Sequence, residues 1–182
     1  MDHELVRRAR DGDRAAFASL VATSIDALDR VARLITRDPD RAQDAVQEAL
    51  IKAWRDLPSL RDVDRFEGWL RQVLVRCCID ELRRHRRLSV EVELIDSMHP
   101  HVTDSAISIG DRDALERGFR RLDPEQRALV VLYHYQGLPL EEVATALRIP
   151  VGTAKSRLFR ARETLRAALE ADARTVAAGG VA

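Results

Sequence analysis

The chain has 182 residues, a formal net charge of +0, 46% hydrophobic residues and only 4% aromatic ones, enough for one large or two small domains. Alanine, leucine, valine and arginine dominate, which favours helices packed through small and aliphatic side chains over a β-sandwich, and the neutral total excludes a whole-molecule attraction to nucleic acid. Two adjacent cysteines, Cys77 and Cys78, suit neither a structural disulfide nor a CxxC metal pair. With no leader-like start and no span-length apolar run, the composition reads as an intracellular, cytoplasmic protein with reduced thiols and no membrane insertion.

Helical periodicity recurs almost everywhere and strand alternation nowhere. Glu4 to Arg10 reads as a short helix that stops at Gly12. Asp13 can cap the next, which buries Phe17, Leu20, Val21, Ile25, Leu28, Val31 and Ile35. Asp38-Pro39-Asp40 breaks that helix, and Asp40 is the expected N-cap of a third. The third keeps the three-four rhythm through Ala42, Ala45, Val46, Ala49, Leu50, Ala53, Trp54 and Leu57, until Pro58 closes it. After a loop from Ser59 to Asp64, a fourth helix sets Phe66, Trp69, Leu70, Val73, Leu74, Cys77 and Leu82 on one side, with Trp69 read as core.

Residues 88–110 lose the periodicity and read as a linker. A second helical cluster begins near Asp111, with a capped start at Asp123-Pro124-Glu125-Gln126 and a buried side of Leu129, Val130, Leu132 and Tyr133. Residues 171–182, with Gly179-Gly180, read as a disordered tail. The expected architecture is all-α, with helical domains over residues 1–87 and 111–170 joined by a flexible acidic linker.

Two short helical patterns meet at a tight break in residues 138–166. The first runs from Pro139 to Leu147 and buries Leu140, Val143, Ala144 and Leu147; after Arg148-Ile149-Pro150 the second buries Val151, Ala154, Leu158, Ala161 and Leu165. The face opposite carries Thr153, Ser156, Phe159, Arg160 and Glu163, flanked by Lys155, Arg157 and Arg162. Hydroxyls, cations and a lone ring turned to solvent suit a helix lying in a DNA major groove. Charge is segregated to match. Residues 151–166 hold Lys155, Arg157, Arg160, Arg162 and Arg166 against Glu163. Residues 76–87 hold Arg76, Arg83, Arg84, Arg86 and Arg87 against Asp80 and Glu81. The linker between carries Glu91, Glu93, Asp96 and Asp104 and no Lys or Arg.

The run Gly137-Leu138-Pro139 through Gly152-Thr153-Ala154-Lys155-Ser156-Arg157-Leu158-Phe159-Arg160-Ala161-Arg162 resembles the C-terminal helix-turn-helix of bacterial sigma factors of the extracytoplasmic-function group. Departures are Pro139 for a capping hydroxyl, Arg148 for a frequent turn glycine, and Ala154 for valine. Asp44-Ala45-Val46-Gln47-Glu48-Ala49-Leu50-Ile51-Lys52-Ala53-Trp54 resembles the run in sigma region 2 that docks on the polymerase clamp helices. Phe66-Glu67-Gly68-Trp69-Leu70-Arg71 through Arg84 resembles the helix facing the promoter −10 element, with Ser59 to Arg65 as the loop that captures an unstacked base.

The resemblance implies a sigma factor that binds core RNA polymerase, at clamp helices and flap, and promoter DNA. Asp44, Gln47, Glu48 and Lys52 would meet the polymerase. Arg61, Arg76, Arg83, Arg84, Arg86 and Arg87 would serve the −10 region. Lys155, Ser156, Phe159 and Arg160 match positions facing the −35 element, with Thr153 on the same face, while Arg157 and Arg162 are flank cations for phosphates or helix stabilisation. The linker carboxylates would mimic nucleic-acid charge inside the polymerase, and an anti-sigma partner is implied. A free-standing regulator that binds duplex operators without polymerase is the rival, but it has no use for the 44–54 helix. The five histidines show no metal spacing, and no phosphate-binding loop or nucleophile elbow is present. No catalysis, cofactor or metal is expected.

Overall fold

The computed structural model describes the backbone of residues 2–92 and 109–179 and the side chains of residues 2–85 and 115–171. Every regular element among them is helical, and the chain divides into two compact units, Met1–Asp96 and Ser97–Ala182. None of these helices is long and apolar enough to cross a membrane.

In the first unit α1 (His3–Arg10) starts at Asp2, whose carboxylate accepts from the amides of Glu4 and Leu5. Gly12 turns the chain at φ 99°, and Asp13 caps α2 (Arg14–Thr36) by accepting from Ala15 and Ala16 while Arg8 holds its other oxygen at 2.6 Å. α2 ends where Arg37 turns left-handed at φ 60°. The cap of α3 (Pro39–Asp56) is Asp38, not Asp40. Pro39 explains the difference, since a proline lacking an amide hydrogen fits the first helical position and leaves the cap to the residue before it. Two short 3₁₀ turns, Leu57–Ser59 and Val63–Arg65, lead into α4 (Phe66–Val92).

The core of this unit explains the alanine content. α3 buries Ala42, Ala45, Ala49 and Ala53 against both α2 and α4, so the backbones approach closely. Leu20, Leu28, Val31 and Ile35 of α2 and Phe66, Leu70, Leu74 and Val75 of α4 are buried as well, and α2 also packs on α4. Each large side chain buried this way contributes about 1.5–3 kcal/mol. Phe17, Val21, Ile25, Leu50, Trp54 and Trp69 lie only partly buried at the edge of this core. Phe17 and Trp54 meet at a tilt of 55° with centroids 5.1 Å apart. Trp69 leans on Phe66 at 6.1 Å.

The second unit comprises α5 (Ile109–Arg121), α6 (Pro124–Val130), α7 (Leu140–Leu147) and α8 (Val151–Gly179), with α8 packed on the other three. Asp123 and Gln126 form a reciprocal capping box on α6, with bonds of 2.7 and 3.0 Å. α6 runs straight into a π turn, Val131–Tyr135, and Gly137 (φ 66°) redirects the chain to α7. Pro139 sits at the N-cap of α7, one position earlier than a helical residue, and offers no side-chain cap. Arg148 closes α7 in the left-handed region at φ 54°, the place where a glycine would be easier.

Two parts of the expected pattern shift. Val151 is 42% exposed at the first turn of α8, and Leu147 and Leu165 are half-buried, while Ala146 and Ala168 are buried. α4 continues to Val92, and α8 runs to Gly179 across most of the stretch expected to be a disordered tail. Alanine-rich residues 171–178 favour that extension.

Candidate nucleic-acid interface

α7 and α8 make a helix-turn-helix across Arg148-Ile149-Pro150. Ile149 donates its amide back to the Ala144 carbonyl at 3.0 Å, and Ala154 donates to Pro150 at 3.0 Å, which fixes the corner. Val143, Ala144, Ala146, Ala154, Leu158 and Ala161 are buried at the junction. The far side of α8 then faces water by geometry. Lys155, Ser156, Phe159 and Arg160 are exposed there, and Thr153 and Arg157 are half-buried at its edges. Phe159 keeps 66% of its surface exposed. A ring that large gains nothing by standing in water, so packing does not account for it. Ser156 donates to the Thr153 carbonyl at 3.0 Å, which leaves its exposed hydroxyl oxygen able to accept.

The five cations of residues 151–166 divide sharply. Arg166 pairs with Glu163 at 3.2 Å and with Glu170 at 3.6 Å. Arg162 donates to His134 at 3.1 Å. Lys155, Arg157 and Arg160 have no ion pair or side-chain hydrogen bond among the described residues. Three charges with no ion partner among the described residues, set around an exposed ring, offer the donors that phosphates and base edges accept from.

The −10 residues from the sequence lie at several levels of the first unit. Arg61 is exposed between the two 3₁₀ turns. Asp62 caps the second turn by accepting from Asp64 at 3.0 Å, and Asp64 meets His3 Nδ1 at 3.0 Å, which ties the loop to α1. Arg76 is half-buried and donates to Gln72 Oε1 at 3.3 Å. Arg83 and Arg84 are exposed in the C-terminal half of α4, where Arg84 reaches Glu81 at 2.7 Å. Beside them Arg41 of α3 meets His85 Nε2 at 2.9 Å. Arg86 and Arg87 lie on the helical backbone of α4, but their side chains fall outside the described residues, as do those of Glu91, Glu93, Asp96 and Asp104.

Asp44, Gln47, Glu48 and Lys52 come together on one rim of a cleft of about 320 Å³ between α3 and α4, whose other wall carries Asp80, Glu81 and Arg84. Lys52 reaches Glu48 at 3.2 Å. Burial works against the Lys52 charge, yet the hydrogen bond and charge of Glu48 prevail and hold the ammonium above its usual range. Cys77, on the cleft floor, has its thiol pushed up by burial and is inert as a nucleophile. Sequence reasoning missed Ile51, which is 57% exposed amid this polar rim. Its signal was present: an isoleucine off the apolar stripe of a helix that otherwise keeps one.

Residues 20–88 match the family model for sigma-70 region 2, and residues 112–165 match that for sigma-70 region 4. The chain is 35% identical over 164 residues to the ECF RNA polymerase sigma factor SigM of Mycobacterium tuberculosis, covering 90% of this chain and 82% of that protein. It is 33% identical over 184 residues to the RNA polymerase sigma-H factor of Pseudomonas aeruginosa, covering 93% and 94%. Among solved structures, the sigma factor RpoE of Bartonella quintana, crystallised with the anti-sigma factor NepR, aligns with a TM-score of 0.65 at 26% identity, over 85% of this chain and 96% of that one.

Proposed function

The chain belongs to the extracytoplasmic-function group of RNA polymerase sigma factors, and from that premise we propose how its residues share the work of promoter-directed initiation. α8 reads the upstream promoter element. Lys155, Ser156, Phe159 and Arg160 meet base edges, while Thr153 and Arg157 fix register on the phosphates. The observation that carries this is the exposed Phe159 flanked by three cations that have no ion pair or side-chain hydrogen bond among the described residues.

The first unit engages the downstream element. The loop around Arg61 takes a base drawn from the stack, and Arg76, Arg83, Arg84, Arg86 and Arg87 run along the backbone of the opened strand. Extracting a base costs a few kcal/mol, which a pocket and backbone cations must offset. Asp44, Gln47, Glu48, Ile51 and Lys52 dock on core polymerase, which performs the catalysis; no catalytic step is assigned to this chain. It acts in the cytoplasm with polymerase and chromosome. Because RpoE of Bartonella quintana is held by an anti-sigma factor, we assign this chain an inhibitor of that class.

The test is reconstitution. The chain is added to core polymerase, promoters are selected from a randomised pool, and runoff transcription is measured. Expected are a shared two-element motif and factor-dependent transcripts. A chain that shifts duplex DNA alone and never joins polymerase would overturn the reading.

A further inference from the structure

Arg162 stands on α8 beside the exposed cations, but it is engaged within its own unit. Its Nε donates to Nε2 of His134 at 3.1 Å, and its guanidinium lies 5.4 Å from the centre of the Tyr133 ring. Tyr133 in turn meets His134 edge to face at 4.9 Å. Tyr133 and His134 belong to the π turn that precedes the helix-turn-helix. The three side chains therefore fasten α8 to a segment before α7, independently of the Arg148 corner.

We propose that Arg162 is a positioning residue for promoter reading, anchored by a neutral His134 and the face of Tyr133, and that protonation of His134 releases it and weakens recognition of the upstream element. The inference rests on the reading of α8 as the DNA-contacting helix.

A guanidinium can only donate. The Nε2 of His134 must therefore carry a lone pair, with the ring proton on Nδ1. A second proton turns that acceptor into a donor and sets two cations in contact. Burial and then the Arg162 charge both disfavour the imidazolium, so the ring titrates below its ordinary value. The contact is complete above the ordinary imidazole range and is lost as pH falls through the lowered value. α6 and α7 pack against the turn, and α8 reaches it through Arg162. Of their charged groups Arg162 is the one that acts on the ring, and the carboxylates Glu125, Glu141 and Glu142 do not hold it charged. An exposed phosphate-binding arginine would need no such anchor.

The full chain bound to core polymerase is titrated with a duplex promoter selected by that holoenzyme, from about pH 5.5 to about pH 8 at fixed ionic strength. Wild-type affinity is expected to fall roughly three- to tenfold on acidification relative to His134→Gln, whose amide oxygen accepts without titrating. His134→Gln should match wild type at the upper end, and His134→Ala should be weak throughout. A wild-type profile parallel to that of His134→Gln overturns the inference, as does His134→Ala binding as tightly as wild type. A gain in wild-type affinity on acidification also overturns it, because it would put the imidazolium on a phosphate. Lys155→Ala separates the two readings. If it leaves binding unchanged, the DNA-contacting assignment of α8 has failed; if it weakens binding while His134 variants do not, only the anchor has. In the free protein, NMR titration should show the His134 ring titrating higher in Arg162→Gln than in wild type, and an unshifted titration removes the contact.

Discussion

Lys52 reaches back one helical turn to Glu48, Nζ to Oε1 at 3.2 Å, and this pair leaves Ile51 standing beside it with 57% of its surface exposed. An exposed pair of this kind adds only a few tenths of a kcal/mol to a helix. The same arrangement suits an interface, where an apolar anchor is ringed by polar groups that fix orientation. Ile51→Asp is therefore expected to weaken assembly with core polymerase by about tenfold or more, with helix content unchanged by circular dichroism. Lys52→Ala, which removes a rim charge, should cost far less. Equal losses from both in a polymerase pull-down titration would place the anchor elsewhere.

Arg148 occupies the left-handed region at φ 54° in the corner between α7 and α8. An L-residue there costs about 1–2 kcal/mol, and glycine returns part of that through its greater freedom when unfolded. Arg148→Gly should stabilise the second unit by up to about 1 kcal/mol, while Arg148→Val should destabilise it. Both tryptophans, Trp54 and Trp69, lie in the first unit, so their fluorescence is silent here. Amide hydrogen exchange of Val143, Ala144 and Leu158 is the measurement. Slower exchange in the valine variant would contradict the argument.

Gly118 of α5 lies against α8 so closely that an added Cβ would meet Leu165 Cδ2 at 2.9 Å and the Ala168 Cβ at 3.3 Å. Leu165 is only half-buried and its methyl can rotate aside; the Ala168 Cβ is fixed to its backbone. Alanine also gains about 1 kcal/mol of helix propensity over glycine. Gly118→Ala is expected to be neutral within about 1 kcal/mol, and Gly118→Val to cost about 1–3 kcal/mol by forcing the helices apart. Hydrogen exchange across α8 distinguishes these outcomes; a valine variant as protected as wild type would mean that the contact yields.

The sequence was most informative where a side chain's role follows from its own helix. The stripe Ala154, Leu158 and Ala161 and the outward Phe159 were legible because period alone puts them on opposite faces. Val151 fits the apolar stripe by period yet is 42% exposed, because the first turn of a helix has neighbours on one side only. Asp40 reads as a cap from its residue type alone, but Pro39 takes the first helical position and shifts the cap back to Asp38. Trp54 and Trp69 followed the apolar rhythm yet stop at the core edge, since periodicity gives direction and not depth. Arg162 and His134 are 28 positions apart, and only the path of the π turn brings them together.

Two kinds of contact on α8 should separate experimentally. Lys155 and Arg160 flank Phe159 on the exposed face, whereas Arg157 is half-buried at its edge. A side chain on a base edge contributes about 1–3 kcal/mol of discrimination against the wrong base, whereas a phosphate contact supports all sequences alike and releases counterions. Phe159→Ala and Arg160→Ala should each lower affinity for the selected promoter and relax preference at one or two adjacent positions of the upstream element. Arg157→Ala should weaken every duplex equally and reduce the magnitude of the salt slope by about one. Binding is measured against a library of single-base variants at two ionic strengths. If Arg157→Ala altered base preference while Phe159→Ala did not, α8 would lie in the groove rotated about its axis, with Arg157 toward the bases.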